Sequence, residues 1–343
     1  MNIGIATLYN SYNFGTFFQA FALQEYLKSL HHSPFFLNTD SLFNRLRRRR
    51  RTFSRSYPLS KNWFALKRAW SYRKDWHFLN VGRDCYNADC IIAGSDEIWN
   101  IRNRSFTADE RYYGKTAPVP CFAYAPCVGS ASFQDFASLP QLLEALKTMT
   151  HWSTRDGATE NFLKQVDPNK QITRVLDPSF LIDWKKYERH VLSLGEFILV
   201  YTYDGMWGFT DEMIQQVKHF AQKTGLPLYS FGFLNEWCDR SISCSPLEFL
   251  GYLRQASYVV TDTFHGTVMS LQYKKRLACM DPKKQKISSM ASMLGIDMSQ
   301  LSLDNMENEI PYSEIGETID QLRHQSIAFL ENALANVTGQ VLA

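Results

Sequence analysis

Residues Val260 to Leu271 read VTDTFHGTVMSL: an apolar residue, a short polar run, a single histidine, a glycine and a helix-like tail. The preceding SYVVT has the β-branched character of a buried strand, and GTVMSLQY (266–273) places apolar residues at helical spacing. The polar run therefore stands between the carboxyl end of a strand and a helix, which is where α/β folds bind ligands. This stretch predicts an α/β fold with a site beside His265.

The same alternation of strands and helices continues on both sides of this stretch. Such alternation predicts parallel sheets covered by helices on both faces, that is, doubly wound domains. A polar pause at LDPSFLIDW (176–184) predicts a boundary between a domain of residues 1–184 and one of residues 185–343, with a ligand cleft between them. Strands are predicted at 2–8, 89–93, 120–124, 197–203, 227–233, 257–261 and 276–280, and helices at 16–30, 139–150, 156–165, 211–223, 246–255 and 266–273.

Composition limits the class of protein. The 343 residues are 45% hydrophobic, which is enough to build packed cores, and the formal net charge of +3 gives no general attraction to nucleic acid. No apolar run approaches the ~18 to 20 residues that span a bilayer, and the first residues lack a signal-peptide pattern. Seven scattered cysteines without C-x-x-C spacing fit free thiols. We expect a cytoplasmic protein without a metal site.

His265 is the first candidate for chemistry. An imidazole exchanges protons near neutral pH, and the N–H groups of Gly266 and Thr267 at the start of a helix favour a carboxylate or phosphate beside it. Asp262 and Thr263 either cap that helix or reach the ligand. The alternative is that His265 only forms local hydrogen bonds.

The segment AGSDEIWN (93–100) is a second candidate. Asp96, Glu97, Trp99 and Asn100 crowd a strand end with two carboxylates, an aromatic ring and an amide, a mixture that suits a sugar. A capping box that begins at Ser95 is the alternative, and it would explain Ser95 and Asp96 but not Trp99.

Two further loops offer polar groups. NSYNFG (10–15) precedes the first helix, where Asn13 and Gly15 form either an anion or sugar site or a plain turn. Arg155 is predicted in a polar link between two helices, where it either binds a carboxylate in the cleft or pairs with Asp156 or Asp177.

With these residues in view, the chain resembles the polysaccharide pyruvyl transferase family. Six motifs in the family's order carry the resemblance over most of the chain. They are NFGTFFQAFALQ (13–24), GSDEIWN (94–100), AYAPCVG (123–129), STRDGAT (153–159), VLDPSFLI (175–182) and TDTFHGTVMSL (261–271).

The resemblance implies two Rossmann-like domains in a glycosyltransferase B-like arrangement. It also implies transfer of pyruvate from phosphoenolpyruvate, a co-substrate rather than a cofactor, to a sugar of a surface polysaccharide or a polyprenyl-linked oligosaccharide. His265 would be the general acid and Arg155 the clamp for the donor anion. The other implied donor residues are Thr263, Gly266, Thr267 and Lys286, and the acceptor residues are Asn13, Gly15, Gln19, Ser95, Asp96, Trp99 and Asn100.

One departure from the family concerns the donor. Members often carry arginine two positions before the histidine, where this chain has Thr263. Arg254, Lys283 or Lys286 would then supply the cation, or the donor is different. Two alternatives follow: a glycosyltransferase that uses a nucleotide sugar, and a glycan-binding relative without catalysis.

The run RLRRRRRTFSR (45–55) is the densest block of charge, and Trp63, Phe64, Trp70, Tyr72, Trp76 and Phe78 follow it. An insertion around residues 42–80 is therefore predicted. It either contacts the anionic inner membrane surface, where a polyprenyl-linked acceptor would be presented, or is a solvated loop. No nucleic-acid reader motif accompanies the run.

Overall fold

The computed structural model describes residues 1–38, 58–82, 87–103, 109–115, 119–308 and 310–341. The basic run at 45–55 lies outside these residues. Within them the chain forms two sheets in which every strand pair is parallel.

The first sheet has the strand order β2-β1-β3-β4-β5-β6. Its strands are β1 (Asn2–Ala6), β2 (Ser33–Phe36), β3 (Cys90–Ala93), β4 (Cys121–Ala123), β5 (Trp152–Thr154) and β6 (Ile172–Arg174). The helices in this half of the sequence are α1 (Phe14–Ser29), α2 (Leu59–Trp76), α3 (Pro140–Thr148) and α4 (Gly157–Val166).

The second sheet has the order β11-β10-β7-β8-β9. Its strands are β7 (Ile198–Tyr201), β8 (Leu228–Phe231), β9 (Arg240–Ile242), β10 (Tyr258–Thr261) and β11 (Arg276–Cys279). The helices are α5 (Asp211–Thr224), α6 (Pro246–Gln255), α7 (Phe264–Gln272), α8 (Gln285–Leu294) and α9 (Tyr312–Val341).

These topologies confirm the predicted pair of Rossmann-like sheets. Strand order reverses between β1 and β3 in the first sheet and between β7 and β10 in the second. Ligands of open parallel sheets bind at such reversal points, beyond the carboxyl ends of the strands. The fold therefore singles out the loops after these four strands.

Four short strands were not predicted: β2, β5, β6 and β9. WST (β5), ITR (β6) and RSI (β9) hold only one apolar residue each, and SPFF (β2) contains a proline, so none shows the apolar pattern of a strand. Because β5 lies within HWSTRDGA, the interpretation of that segment as a link between helices is wrong, and Arg155 instead follows the carboxyl end of a strand.

An aromatic seam joins the two halves. Phe14 of α1 stacks on Tyr72 of α2 and on Tyr201 of β7, with ring centroids 5.5 and 5.3 Å apart, and contacts Phe249 of α6 at 4.8 Å. Gly232, at φ +78°, lies so close that a Cβ there would stand 2.6 Å from the Phe14 ring. The start of α1 is thus fixed against the second sheet.

Helix α9 follows the second sheet but returns to the first. Its Ser326 hydroxyl accepts a hydrogen bond from the Leu176 N–H at 2.8 Å, and the rings of Phe329 and Tyr124 lie 6.3 Å apart. None of the described helices combines the length and the apolar character needed to cross a membrane. The boundary at 184/185 stays a prediction; it falls between β6 and β7.

The six described cysteines are free thiols, and Cys85 lies outside the described residues. Burial raises the pKa of Cys90, Cys121 and Cys127 to about 12 each, so their reactive thiolate forms are scarce at neutral pH.

Candidate functional site

A cleft of about 710 Å³ opens where the reversal points of the two sheets face each other. The loops after β1 and β3 line one side, and the loops after β7 and β10, with the segment that leads into α8, line the other. The lining side chains discussed below are Asn13, Asp96, Glu97, Asp156, Tyr201, Tyr203, Trp207, Asp262, Thr263, His265, Lys284 and Lys286.

His265 lies in the first turn of α7. The predicted helix start at Gly266 is two residues late, because Thr263 is the N-cap and its hydroxyl accepts the Gly266 N–H at 3.0 Å. The Gly266 N–H is thus already paired, and the Thr267 N–H donates to the Thr263 carbonyl at 3.1 Å, so both donors of the predicted anion site are used. The side chain of His265 lines the cleft and is 11% exposed.

Gly15 makes room for the His265 ring. A Cβ on Gly15 would overlap the imidazole at Nδ1, so the first turn of α1 meets the first turn of α7 here. Asn13 caps α1 by accepting the Gly15 N–H at 2.9 Å, donates to the Tyr203 hydroxyl at 2.8 Å and accepts from the Tyr201 hydroxyl at 3.3 Å. The two helix ends are therefore held together across the domains.

Behind His265 lies the fully buried carboxylate of Asp177. Its Oδ1 is 3.5 Å from His265 Nε2, and its Oδ2 pairs with Arg155 and accepts from the Ser95 hydroxyl at 3.0 Å. Burial alone would raise the pKa of Asp177, but the charges of Arg155 and His265 outweigh it and hold that pKa well below its usual range. Asp177 therefore stays ionised beside the imidazole.

Arg155 is paired, as the alternative interpretation proposed. It is 4% exposed, donates to Ser95 Oγ at 2.8 Å and to Asp177, and stacks its guanidinium over the Phe264 ring at 4.8 Å. It does not belong to the cleft lining of the described residues. The expected clamp for a donor anion thus lies behind the cleft wall, engaged by Asp177.

Two lysines bring positive charge into the cleft. Lys286 Nζ lies 2.6 Å from Glu97 Oε1, a contact between the domains, and Lys284 Nζ lies 2.7 Å from Asp262 Oδ2. Burial alone would raise the pKa of Glu97, but Lys286 lowers it overall. Lys286 was expected from the sequence, whereas Lys284, in the same KKQK run after β11, was not.

Carboxylates outnumber these cations. Asp96, Glu97, Asp156 and Asp262 all line the cleft. Over the described ranges, no three His, Cys, Asp or Glu side chains gather in an arrangement that could hold a metal ion. The charged groups are instead paired with each other or with helix ends, as Asp156 is with the N–H of Thr159 at 2.8 Å.

The SDEIWN segment divides into cleft and core. Asp96 adopts φ +73°, a left-handed conformation that is uncommon outside glycine and concentrates at functional sites, and it lines the cleft. Trp99, in contrast, is fully buried and donates its Nε1–H to the Tyr112 carbonyl at 2.8 Å. The expectation that Trp99 forms a sugar platform is wrong, because its ring and its polar atom are both used in the core. Asn100 is 6% exposed and donates to Glu97 at 2.7 Å.

Other predicted residues support the loops without reaching the cleft. Gln19 is fully buried and donates to the Leu8 carbonyl at 2.6 Å, and the Thr267 hydroxyl donates to the Thr263 carbonyl at 3.0 Å. A Cβ on Gly266 would stand 2.5 Å from Thr263 Oγ1, so this glycine allows close packing of α7. The structure assigns these three to scaffolding, together with Ser95, which is fully buried.

Tyr203 and Trp207 line the cleft although sequence analysis did not name them. Both follow β7, the neighbour of β10 in the sheet. The sequence predicted β7 and β10 but not that they are neighbours in the sheet, so it could not place these two side chains in the cleft.

A model of the family described as polysaccharide pyruvyl transferase matches residues 13–284, from the start of α1 to the segment that leads into α8. No curated protein matches the chain significantly in sequence. Among solved structures, an α-glucosyltransferase with UDP is 11% identical over 100% of both chains, at a TM-score of 0.48.

Two further solved structures are similar at the same low level. An E. coli heptosyltransferase with ADP is 12% identical over 93% of this chain and 100% of its own, at a TM-score of 0.42. A UDP-GlcNAc 2-epimerase from Methanocaldococcus jannaschii is 11% identical over 87% of this chain and 94% of its own, at 0.41. These similarities concern the fold only.

Proposed function

Since this chain belongs to the polysaccharide pyruvyl transferase family and is thus a transferase, we propose that it moves a pyruvyl group from phosphoenolpyruvate to a sugar. The family implies an acceptor of the polysaccharide type. We propose a surface polysaccharide or its lipid-linked oligosaccharide precursor as that acceptor.

The proposed reaction needs an acid and a site for an anion. The methylene carbon of phosphoenolpyruvate takes a proton from the His265 imidazolium, which makes C2 an electrophile. A sugar hydroxyl bonds to C2 and loses its proton. When a second hydroxyl of the sugar bonds to C2 and also loses its proton, the C–O bond to phosphate breaks and a ketal forms. Of the two hydroxyl protons, one returns to His265 and the other leaves with the released phosphate.

The position of His265 carries this proposal. Its Nε2 faces the ionised Asp177 at 3.5 Å, so a protonated imidazole has its counterion on the side away from the substrate. The opposite nitrogen, Nδ1, lies beside Gly15 at the junction of the two domains. We assign the transferred proton to Nδ1, and to Asp177 the task of orienting the ring.

Lys286 is the proposed partner of the donor anion. Thr263 stands where family members often have arginine, and its hydroxyl is used by Thr261 at 2.9 Å and by Gly266. Lys286 is a cation already in the cleft, and it would exchange Glu97 for the carboxylate or phosphate of the donor. Lys284 is the second cation within reach of the same space.

The first-domain side of the cleft is the proposed acceptor site. Asn13 and Asp96, both expected from the sequence, line it and present amide and carboxylate groups that can bond to sugar hydroxyls. Trp207, on the opposite side, is 75% exposed and offers the aromatic surface that Trp99 does not.

Thermal unfolding with candidate donors tests the proposal. Phosphoenolpyruvate at about 100 times its Kd would add about 2.7 kcal/mol to the unfolding free energy and raise Tm, whereas UDP-sugars would not. Lys286→Met should remove the shift, and Lys283→Met, a change of the exposed neighbouring lysine, should keep it. Phosphate release in the presence of an acceptor glycan then measures turnover.

A Tm rise with a UDP-sugar alone would replace this proposal with a nucleotide-sugar glycosyltransferase. A rise with glycan alone, without phosphate release from phosphoenolpyruvate, would instead indicate a glycan-binding relative.

A further inference from the structure

One face of α2 is apolar and exposed. Leu59, Trp63, Leu66 and Trp70 follow one another at intervals of four, three and four residues, so they form a single stripe along the helix. Their exposed fractions are 88, 58, 50 and 67%. Large apolar residues in such a continuous row usually mark a binding surface.

The opposite face of α2 is fixed to the second domain. Asp75 is fully buried, accepts the Leu247 N–H at 2.8 Å and pairs with Arg189 at 2.8 Å. Tyr72, expected from the sequence to join the exposed aromatics, is 1% exposed within the aromatic seam. The outward direction of the stripe is therefore set by packing.

Cations flank the stripe. Lys67 Nζ lies 5.2 Å from the Trp63 ring, and Arg73 is exposed one turn beyond Trp70. Lys74 Nζ lies 5.3 Å from the Trp70 ring and pairs with Glu248 at 2.7 Å. The only acid of the helix is the buried Asp75. The exposed side of α2 thus combines tryptophan, leucine and positive charge.

The stripe adjoins the rim of the cleft. Lys61 of α2 lies 3.6 Å from Asp204, in the loop that carries Met206 and Trp207. These two residues are 89 and 75% exposed, and Trp207 also lines the cleft. Leu59, Trp63, Leu66 and Trp70, with Met206 and Trp207, are called the α2 surface below.

We propose that the α2 surface binds an anionic lipid bilayer with α2 lying parallel to it. Tryptophan and leucine enter the interface between headgroups and acyl chains, while Lys67 and Arg73 contact lipid phosphates. A second copy of the chain fits less well, because a two-fold contact through this surface would bring the same cations together. If the acceptor is lipid-linked, as proposed above, this orientation brings the cleft rim to the bilayer.

Sedimentation with vesicles tests this inference on the full chain. Vesicles of phosphatidylcholine alone are compared with a three-to-one mixture of phosphatidylcholine and phosphatidylglycerol. The protein should sediment with the mixture. Trp63→Ser with Trp70→Ser should weaken this binding at least about tenfold, and Lys67→Gln with Arg73→Gln should weaken it roughly tenfold.

Lys147→Gln with Lys164→Gln is the matched control, since these lysines are exposed on α3 and α4 and the change in charge is the same. It should leave binding unchanged, and unchanged Tm shows that each variant is folded. No sedimentation with either vesicle, or full binding by the tryptophan variant, overturns the proposal. The proposal is also overturned if vesicles do not bind the protein and the wild type is a dimer that dissociates in the tryptophan variant. Because sedimentation measures only binding to vesicles, its result does not depend on whether phosphoenolpyruvate proves to be the donor.

Discussion

The amino-terminal ends of α1 and α7 are built alike but contribute differently. Each follows a strand at a sheet reversal, and each begins with a side chain that accepts the N–H of a glycine, Asn13 for Gly15 and Thr263 for Gly266. At α7 the first turn contributes His265, whereas at α1 it contributes the open space that Gly15 leaves for that ring. The site thus arises where two similar turns from different domains meet, and neither turn contains it alone.

The largest effect is expected from replacing His265, the residue that carries the proposed chemistry. His265→Gln should lower the rate of phosphate release about 10²- to 10⁴-fold, the usual contribution of a general acid, while Tm changes little. His219→Gln, a change of an exposed histidine on α5, is the control and should keep activity. Full activity in the His265 variant would contradict the proposed role.

Replacing Asp177, the carboxylate behind His265, should mainly lower the free energy of unfolding. Asp177→Asn leaves the buried Arg155 unpaired, which should cost about 3 to 5 kcal/mol of unfolding free energy. Asp320→Asn, at an ion pair whose carboxylate is 61% exposed, should cost less than about 0.5 kcal/mol.

The pH dependence of this loss has a definite sign. Because folding lowers the pKa of Asp177, its ionisation stabilises the fold at pH values above its unfolded pKa of about 3.9. This stabilisation is lost as the pH falls toward the folded pKa. The difference in unfolding free energy between wild type and Asp177→Asn, measured with urea, should therefore shrink progressively as the pH falls below about 4, and a constant difference would contradict this assignment.

Gly15 and Gly266 allow a further comparison of the starts of α1 and α7. Gly15→Ala places a methyl group where the imidazole lies, so it should reduce turnover more than stability. Gly266→Ala crowds Thr263 and Tyr201 and should lower the unfolding free energy by about 1 to 3 kcal/mol.

Gly316→Ala is the control for both variants, because nothing lies within 4 Å of a Cβ there on α9, and it should be neutral or stabilising by up to about 1 kcal/mol. Phosphate release and urea unfolding measure the two quantities. Equal losses of turnover in the Gly15 and Gly266 variants would show that the glycines do not differ as inferred.

The caps should give the smallest effects. Thr263→Ala should cost about 1 kcal/mol of unfolding free energy, and Thr263→Ser should restore most of it because serine also caps. Asn13→Ala should cost more, since Asn13 also bonds to Tyr203 and Tyr201. A larger cost at Thr263 would reverse the inferred order.

The sequence predicted the parts of the site that depend on local pattern. His265, Asn13 and Asp96 stand at strand ends that hydrophobic runs made visible, and all three line the cleft. Arg155 could not be placed this way, because β5 before it, WST, has only one apolar residue and its partner Asp177 is distant in sequence. Trp99 was misjudged for a similar reason: its burial depends on the Tyr112 carbonyl, which no local pattern reveals.

The return of α9 to the first sheet has a consequence for dissecting the protein. Leu330, Ala333, Leu334 and Val337 are buried, although they follow the second sheet in sequence. A fragment ending before Tyr312 would leave the apolar surface that they cover open to water, which makes it prone to aggregate. Separate expression of the two halves should therefore fail, and calorimetry of the intact chain should show one cooperative unfolding transition instead of two.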